Sequence, residues 1–155
     1  MCNFLSRSGF EVALVDHTGI DMIAYHKSSE RRLGISVKSR TLKDGNKARA
    51  VKLFKAEEEE AEIRKFKDAC AWFKCEEWIA VYFEWDDHAK LNLTSLKHYL
   101  DEYVPQGRNA SKWSMSKERT EKYENDPRVF HMALTFDITN WRDLLEQNDT
   151  NKETD

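Results

Sequence analysis

The sequence predicts an α/β sandwich, in which a central mixed β-sheet is flanked by helices on both faces. Three observations support this fold class. Three short apolar segments are joined by hairpin-length turns, a helix of about 19 residues follows them, and a continuous apolar strand follows the helix. A helix of that length can link two parallel strands, whereas the short turns make antiparallel neighbours. We therefore expect both strand directions in one sheet.

The first third of the chain predicts a short helix, three strands and a loop. Gly9 ends the helix, and the segment 16–19 has the composition of a turn. Gly45 and Asn46 mark the loop after the third strand. The predicted elements are a helix over 2–8, strands over 10–15, 20–25 and 33–40 with a hairpin loop over 27–32, and a flexible loop over 42–50.

A long amphipathic helix is predicted over 56–74. Its apolar residues recur at the spacing of one helix face, and its first turns are rich in glutamate, which suits the positive end of a helix dipole. That apolar face consists of Ile63, Phe66, Cys70 and Phe73. The elements predicted after it are strands over 78–85, 91–93 and 129–138, helices over 94–104, 116–123 and 140–145, and a loop over 105–112.

Length and composition indicate one globular domain. The chain has 155 residues, of which 40% are hydrophobic, and a formal charge of -3. We place this domain at residues 1–146 and expect a polar tail over 147–155. The longest apolar run, 78–83, is far too short to cross a membrane. The three cysteines form no CxxC pair, which is typical of reduced thiols. Together these features predict a cytoplasmic protein with no membrane partner.

Positive charge is concentrated in one block of the chain. Between residues 26 and 55 there are ten Lys and Arg residues but only two acidic residues, Glu30 and Asp44. Such a block attracts phosphate groups and releases their counterions. A solvated loop that pairs with the glutamates at 57–62 is an equally good interpretation of the composition. The choice therefore depends on the motifs inside the block.

Two short motifs lie on neighbouring predicted strands. The first is Gly19-Ile20-Asp21, at the start of a strand, and the second is Ser36-Val37-Lys38. Because side chains alternate along a strand, Ser36, Lys38 and Arg40 project to one face. A simple hairpin register brings Asp21 and Lys38 together at one end of the strand pair.

These motifs resemble the PD-(D/E)xK nuclease superfamily, in its restriction endonuclease-like and Holliday junction resolvase-like branch. There, a G-x-D strand start is followed by an apolar strand that carries E-V-K. The resemblance covers about residues 4–83. It implies a restriction endonuclease-like three-layer sandwich and a divalent-metal-dependent DNA endonuclease that hydrolyses phosphodiester bonds. It also implies a duplex or branched DNA substrate and action as a homodimer.

The resemblance also implies roles for individual residues. Asp21 would ligate Mg²⁺ or Mn²⁺, the carbonyl of Val37 would supply another ligand, and Lys38 would stabilise charge on the phosphate. The chemistry has a physical basis, because a divalent cation is a Lewis acid that also activates a bound water. Magnesium prefers oxygen ligands and retains several waters, so one or two carboxylates are sufficient.

Ser36 departs from the pattern, because it stands where the family carries Glu or Asp. One explanation is loss of activity. The other is migration of the acid, since some restriction endonucleases that carry S-V-K take the missing glutamate from the following helix. Projecting the apolar face backwards selects Glu59 and Glu62 as catalytic and metal-ligating candidates. For each of them, a solvated acidic helix start is the competing interpretation.

Several basic residues near these motifs are candidates for contacts to the DNA backbone. They are Arg40, Lys43, Lys47, Arg49 and Lys52. Pairing with an acidic neighbour is the alternative for Arg40. A second basic group alternates with glutamates and predicts a solvated helix with i,i+4 ion pairs. This group comprises Lys112, Lys117, Arg119 and Lys122.

Three functional hypotheses follow from these observations. The first is the metal-dependent endonuclease. The second is a catalytically silent nuclease-fold protein that binds nucleic acid through the basic block at 27–55. The third is a protein-interaction domain, in which the basic block and the acidic helix start neutralise each other. Metal-dependent cleavage and salt-sensitive DNA binding discriminate among them.

Overall fold

The computed structural model describes residues 1–17, 19–41, 50–85, 87–106, 108 and 110–135, and for residues 16 and 17 the backbone alone. Within these ranges the chain forms four helices and eight strands. In chain order they are α1 (Cys2–Arg7), β1 (Phe10–His17), β2 (Ile20–His26), β3 (Arg31–Thr41), β4 (Ala50–Lys52), α2 (Glu59–Trp72), β5 (Glu76–Glu84), β6 (His88–Ser95), α3 (Leu96–Tyr103), β7 (Lys112–Ser114), α4 (Lys117–Asn125) and β8 (Phe130–Thr135).

Six strands form one mixed sheet in the order β1-β2-β3-β5-β6-β8. The first three strands are antiparallel, as their short turns predict. Strand β3 then pairs with β5 in parallel, from Leu33 opposite Glu76 to Thr41 opposite Glu84. The chain between β3 and β5 contains α2, so the expected link between parallel strands is confirmed. The predicted α/β class with a mixed sheet is therefore correct.

The larger core lies between the sheet and three of the helices. Helix α2 contributes Phe66 and Cys70, α3 contributes Leu96 and Tyr99, and α4 contributes Tyr123. The predicted apolar face of α2 is confirmed, because its residues are buried or half-buried against this core. Apolar side chains here exclude water from one face of the sheet, which holds the helices in place.

The opposite face of the sheet carries a second core. Its sheet residues include Met22, Ile35, Trp78 and Leu93, and Leu5 of α1 packs against them. Helices therefore lie on both faces, although the second face has only the short α1 within the described residues. No helix in these ranges has the length and apolar character needed to cross a bilayer.

A small second sheet differs from the prediction. Strands β4 and β7 pair antiparallel, with Val51 opposite Trp113 and Lys52 opposite Lys112. The sequence predicted loops at 42–50 and 105–112, so both strands were missed. They are three residues long, which is too short for a periodic signal. Tertiary burial forms them instead, because Val51 and Trp113 are both buried in the larger core.

The other boundaries shift by a few residues. Strand β6 is longer than the predicted 91–93, because it pairs along its length with β5 and its first six residues, 88–93, pair with β8 at residues 130–135. Helix α3 begins after Ser95, whose side chain accepts the His98 amide as an N-cap. The predicted helix at 140–145, the tail at 147–155 and the domain boundary at 146 lie outside the described residues.

A buried polar cluster joins α3 to the segment between α4 and β8. The Asp126 carboxylate accepts hydrogen bonds from the Tyr103 hydroxyl, the Arg128 amide and the His98 ring, the last at 2.7 Å. Burial opposes ionisation of Asp126, but these hydrogen bonds outweigh it and lower its pKa to about 2. The ionised carboxylate therefore stabilises the packing of these elements.

We expect Gly34→Ala to destabilise the fold by about 1–3 kcal/mol, because it overpacks the contact between β3 and α2. An added Cβ would lie 2.7 Å from the Cys70 sulfur and 3.1 Å from the Cys75 Cβ. Urea denaturation measures the loss in free energy of unfolding. The same substitution in a Cys70→Ala background should cost less, since the sulfur is absent. Equal costs in the two backgrounds would contradict the predicted clash.

We expect Asp126 to make the stability depend on pH between about 4 and 2. Its folded-state pKa is lower than the ordinary value, so its contribution is present above about pH 4 and is lost as the pH falls through about 2. Asp126→Asn should remove roughly 1–2 kcal/mol at neutral pH and flatten the stability profile in this window. Thermal unfolding from pH 2 to 6 measures both effects. Asp101→Asn, at an exposed carboxylate, is the control; a wild-type pH profile in Asp126→Asn would refute the assignment.

Candidate active site

The turn before β2 is held against the backbone of α2. Gly19 has a φ of 104°, and a Cβ there would lie 3.1 Å from both the Lys65 carbonyl oxygen and the Phe66 Cα. A side chain at this position would therefore be strained and would collide with backbone atoms. The G-x-D motif thus has a structural reason in this chain, because only glycine lets the start of β2 approach the helix so closely.

Asp21 closes the hydrogen-bond ladder between β2 and β3. The last pair that the two strands form is Met22 opposite Ile35. Beyond it, the Asp21 carboxylate accepts the Val37 amide at 2.6 Å and the Ser36 hydroxyl at 3.4 Å through the same oxygen, Oδ2. The structure therefore brings Asp21 to Ser36 and Val37 of the second motif, and no hydrogen bond or ion pair joins it to Lys38 within the described residues. The carboxylate reaches the strand that carries Lys38.

The Val37 carbonyl lies on the same side of β3 as its amide. In a strand, the N–H and C=O of one residue point to the same neighbouring strand. Since the Val37 amide points to Asp21, its carbonyl points towards the β2 side as well. The backbone oxygen expected from the resemblance is therefore next to the aspartate.

A cleft of about 170 Å³ opens between β3 and α2 beside this aspartate. Ser36 and Lys38 enter it from β3, and Glu62 and Lys65 enter it from α2. The lining residues are Gly19, Ser36, Lys38, Phe54, Glu62, Lys65 and Phe66. Ser36 and Lys38 both face the cleft because alternate side chains of a strand point to the same face. The α2 residues reach the cleft because the helix packs over β3.

Glu62 and Glu59 have different surroundings. Both are half-buried, whereas Glu57, Glu58 and Glu60 are exposed, so the helical periodicity ranked the five correctly by burial. Glu62 lines the cleft, and its Oε2 accepts the Lys55 amide at 2.6 Å. Glu59 accepts the Ala110 amide at 2.8 Å and is absent from the cleft lining. The structure brings Glu62, but not Glu59, to the predicted site.

Two lysines line the cleft. Lys38 has no hydrogen bond or ion pair within the described part of the chain, and Lys65 lines the cleft beside it. The lining therefore holds two lysines and one carboxylate, and the Asp21 carboxylate beside it brings the site to two positive and two negative side chains. Sequence reasoning missed Lys65 and Phe54. Lys65 is three residues after Glu62, so the spacing of adjacent helical side chains was the signal that could have found it.

The predicted backbone-binding residues divide into three groups. Lys43, Lys47 and Arg49 lie outside the described residues. Arg40 donates to the Ala50 carbonyl at 2.8 Å. Its partner within the described residues is therefore a backbone oxygen, and the predicted alternative was an acidic side chain. Lys52 is exposed on β4.

The second basic group was predicted as one solvated helix. Lys117 does approach Glu121 at the predicted i,i+4 spacing, with 4.0 Å between the charged atoms. Lys122 instead lies over the Tyr103 ring and donates to the Glu102 carbonyl. Lys112 is outside the helix, in β7, so its prediction was wrong. Strand β7 forms here because Trp113, the residue after Lys112, is buried in the core.

Two carboxylates near the cleft each keep one oxygen that forms no hydrogen bond within the described residues. They are Asp21 and Glu62, and each accepts a backbone amide through its other oxygen. Within those ranges, no group of three or more His, Cys, Asp or Glu residues is placed to hold a metal. Two carboxylates suit Mg²⁺, which keeps several waters, and would not form an all-protein cage.

Comparison with known proteins assigns no family to this chain. No protein-family model matches it, and no curated protein matches it in sequence. The resemblance to PD-(D/E)xK nucleases therefore depends on the sequence motifs alone. Function has to be argued from the site itself.

We expect Asp21→Ala to cost about 1 kcal/mol of stability, because the Val37 amide loses its acceptor. Asp21→Asn should cost less, since the amide oxygen can still accept this hydrogen bond. Hydrogen exchange of the Val37 amide, followed by NMR, should be faster in Asp21→Ala than in Asp21→Asn. An unchanged exchange rate in Asp21→Ala would show that this carboxylate does not hold the strand.

Proposed function

We propose that this chain is a divalent-metal-dependent DNA endonuclease with a restriction endonuclease-like fold. One observation carries the proposal: Ser36, Lys38 and Glu62 line one cleft directly beside the Asp21 carboxylate. The sheet has three antiparallel strands followed by a helix and a parallel strand, and this arrangement also supports the proposed fold. The two lysines of the cleft suit contact with the phosphodiester of a DNA strand, and a bound divalent cation would offset the two carboxylates.

The proposal gives a role to Asp21, Val37, Lys38 and Glu62. Asp21 and Glu62 would hold Mg²⁺ or Mn²⁺, and the Val37 carbonyl is next to the first of them. When bound, the cation supplies a Lewis acid and an activated water. Lys38 donates to a phosphate oxygen and stabilises the negative charge that grows on it during hydrolysis. The ammonium is suited to this because no carboxylate in the described ranges pairs with it.

Glu62 would replace the acid that Ser36 lacks. It extends from the first turns of α2 into the cleft that Ser36 and Lys38 enter from β3. The hydrogen bond from the Lys55 amide fixes one carboxylate oxygen and leaves the other for a ligand. The Ser36 hydroxyl instead donates to Asp21 and orients it.

A catalytically silent DNA-binding protein is the second candidate. The observation that favours it is that Asp21 and Glu62 already accept hydrogen bonds from backbone amides. Under this alternative, both carboxylates stabilise the fold and bind no metal. Under this alternative the chain binds DNA but does not cut it. Ser36→Glu would then restore the missing acid, and gain of cleavage in that variant would support the second candidate.

We expect cleavage of supercoiled plasmid or of a four-way junction in Mg²⁺ or Mn²⁺. Lys38→Gln should lower the rate by about 10²- to 10³-fold, since it removes a charge that stabilises the transition state. Asp21→Asn and Glu62→Gln should do the same while keeping their structural hydrogen bonds. Gel assays of nicked and linear products, with chelator as a blank, measure the rates.

Two further variants make this assay specific. Glu59→Gln makes the same chemical change on the same helix outside the cleft, so it should retain most of the cleavage. Lys97→Gln removes an exposed lysine that does not line the cleft and should also remain active. If Glu59→Gln abolishes cleavage while Glu62→Gln does not, the assignment of the acid is wrong. Absence of metal-dependent cleavage in the wild type contradicts the nuclease proposal.

A further inference from the structure

Two lysines lie side by side on the small sheet. Lys52 of β4 is directly opposite Lys112 of β7, and both are exposed. Opposite residues of an antiparallel pair share a face, with Cβ atoms about 4.5–5.5 Å apart. Their neighbours Val51 and Trp113 point the other way, into the larger core. The backbone therefore fixes two ammonium groups on the outer face of this sheet.

This arrangement is electrostatically unfavourable for the protein alone. Like charges directly opposite each other in a sheet are destabilising. Neither lysine forms an ion pair within the part of the chain that the structure describes, although lysines elsewhere do, such as Lys90 with Glu124 and Lys97 with Asp101. An anion bound between them would relieve the repulsion. A phosphate group has the charge and the acceptor oxygens to do so.

Arg40 extends this positive surface towards the main sheet. Its guanidinium donates to the Ala50 carbonyl, two residues before Lys52 on the same strand. One donation leaves most of the guanidinium N–H groups for other acceptors. We call Arg40, Lys52 and Lys112 the basic patch.

The chain connects the basic patch directly to the cleft. After Lys52, Phe54 forms part of the cleft wall, and the next residue, Lys55, donates its amide to Glu62. The segment is held in place because the Leu53 amide donates to the Ser111 carbonyl at 2.8 Å. The basic patch therefore begins two residues along the chain from the wall of the cleft.

We propose that the basic patch binds the sugar-phosphate backbone of the DNA beside the cleft, with the pair of Lys52 and Lys112 as its centre. This inference rests on the proposed function for its choice of polyanion. The patch positions the strand and carries no sequence readout, because its contacts are to phosphates. It adds Lys112 to the interface, a residue that the sequence pattern placed on a solvated helix.

Salt-dependent binding tests the basic patch without any cleavage. Fluorescence anisotropy of a labelled DNA duplex, in chelator and over about 50–200 mM salt, gives the slope of log affinity against log salt concentration. Lys52→Gln and Lys112→Gln should each reduce the slope by about 1, and the double variant by about 2, uniformly across DNA sequences. Lys97→Gln is the matched control. It loses one exposed lysine at the start of α3, beyond the Ser95 end of β6, and should keep the wild-type slope.

A charge reversal excludes misfolding as the cause. Lys112→Glu places a carboxylate opposite Lys52, so it should raise the Tm by roughly 1–3 °C while it weakens DNA binding. Higher thermal stability combined with weaker binding is the expected result. A lower Tm, or unchanged DNA affinity, would overturn the proposal.

The outcomes separate this proposal from the proposed function. If the protein cleaves DNA with metal but both lysine variants keep the wild-type salt slope, the proposed role of the basic patch is wrong. The nuclease proposal then still stands. Lysine-dependent binding without cleavage would support the patch and contradict the nuclease. Polyglutamate is the probe for an acidic protein partner. If it binds more tightly than DNA through the same lysines, or if the wild type binds no DNA, the patch is wrong.

Discussion

The parallel pairing of β3 with β5 is the constraint on which the rest of the structure depends. Parallel neighbours cannot be joined by a tight turn, so the chain must leave the sheet and return along it. Helix α2 makes that return and packs over β3. One face of β3 is thereby covered near Gly34 and open towards Lys38, which creates the cleft. The polar residues of the site meet because this link sets the position of the helix.

Under the proposed function, the same side chains have a structural and a chemical role in this cleft. Asp21 ends the β2–β3 ladder through the Val37 amide, and Glu62 fixes the segment before α2 through the Lys55 amide. Each carboxylate has a second oxygen, so one hydrogen bond does not exclude a metal ligand. Such bonds orient the carboxylates, as outer contacts do in metal sites. The structural hydrogen bonds of Asp21 and Glu62 are therefore compatible with both proposed functions.

The small sheet links the core to the positively charged surface. Trp113 and Val51 are buried on its inner face, where Trp113 stacks on Tyr99 at 5.4 Å between ring centroids. Because side chains alternate along a strand, burial of these two residues forces Lys52 and Lys112 to the outside together. Packing in the core thus decides where the two charges lie. Charge near the cleft is a consequence of the fold as well as of the basic block in the sequence.

The sequence by itself determined the α/β class, the positions of the six main strands along the chain, the apolar face of α2 and the shared face of Ser36 and Lys38. These features follow from local periodicity and turn chemistry, which neighbouring residues encode. Only the tertiary structure placed Glu62 in the lining of the cleft and Glu59 against Ala110. It also brought Lys65 into the cleft and paired β4 with β7. Those choices depend on contacts between segments far apart in the chain, such as Glu59 with Ala110. Periodicity gives the face of a helix, but the residue opposite that face is set by packing.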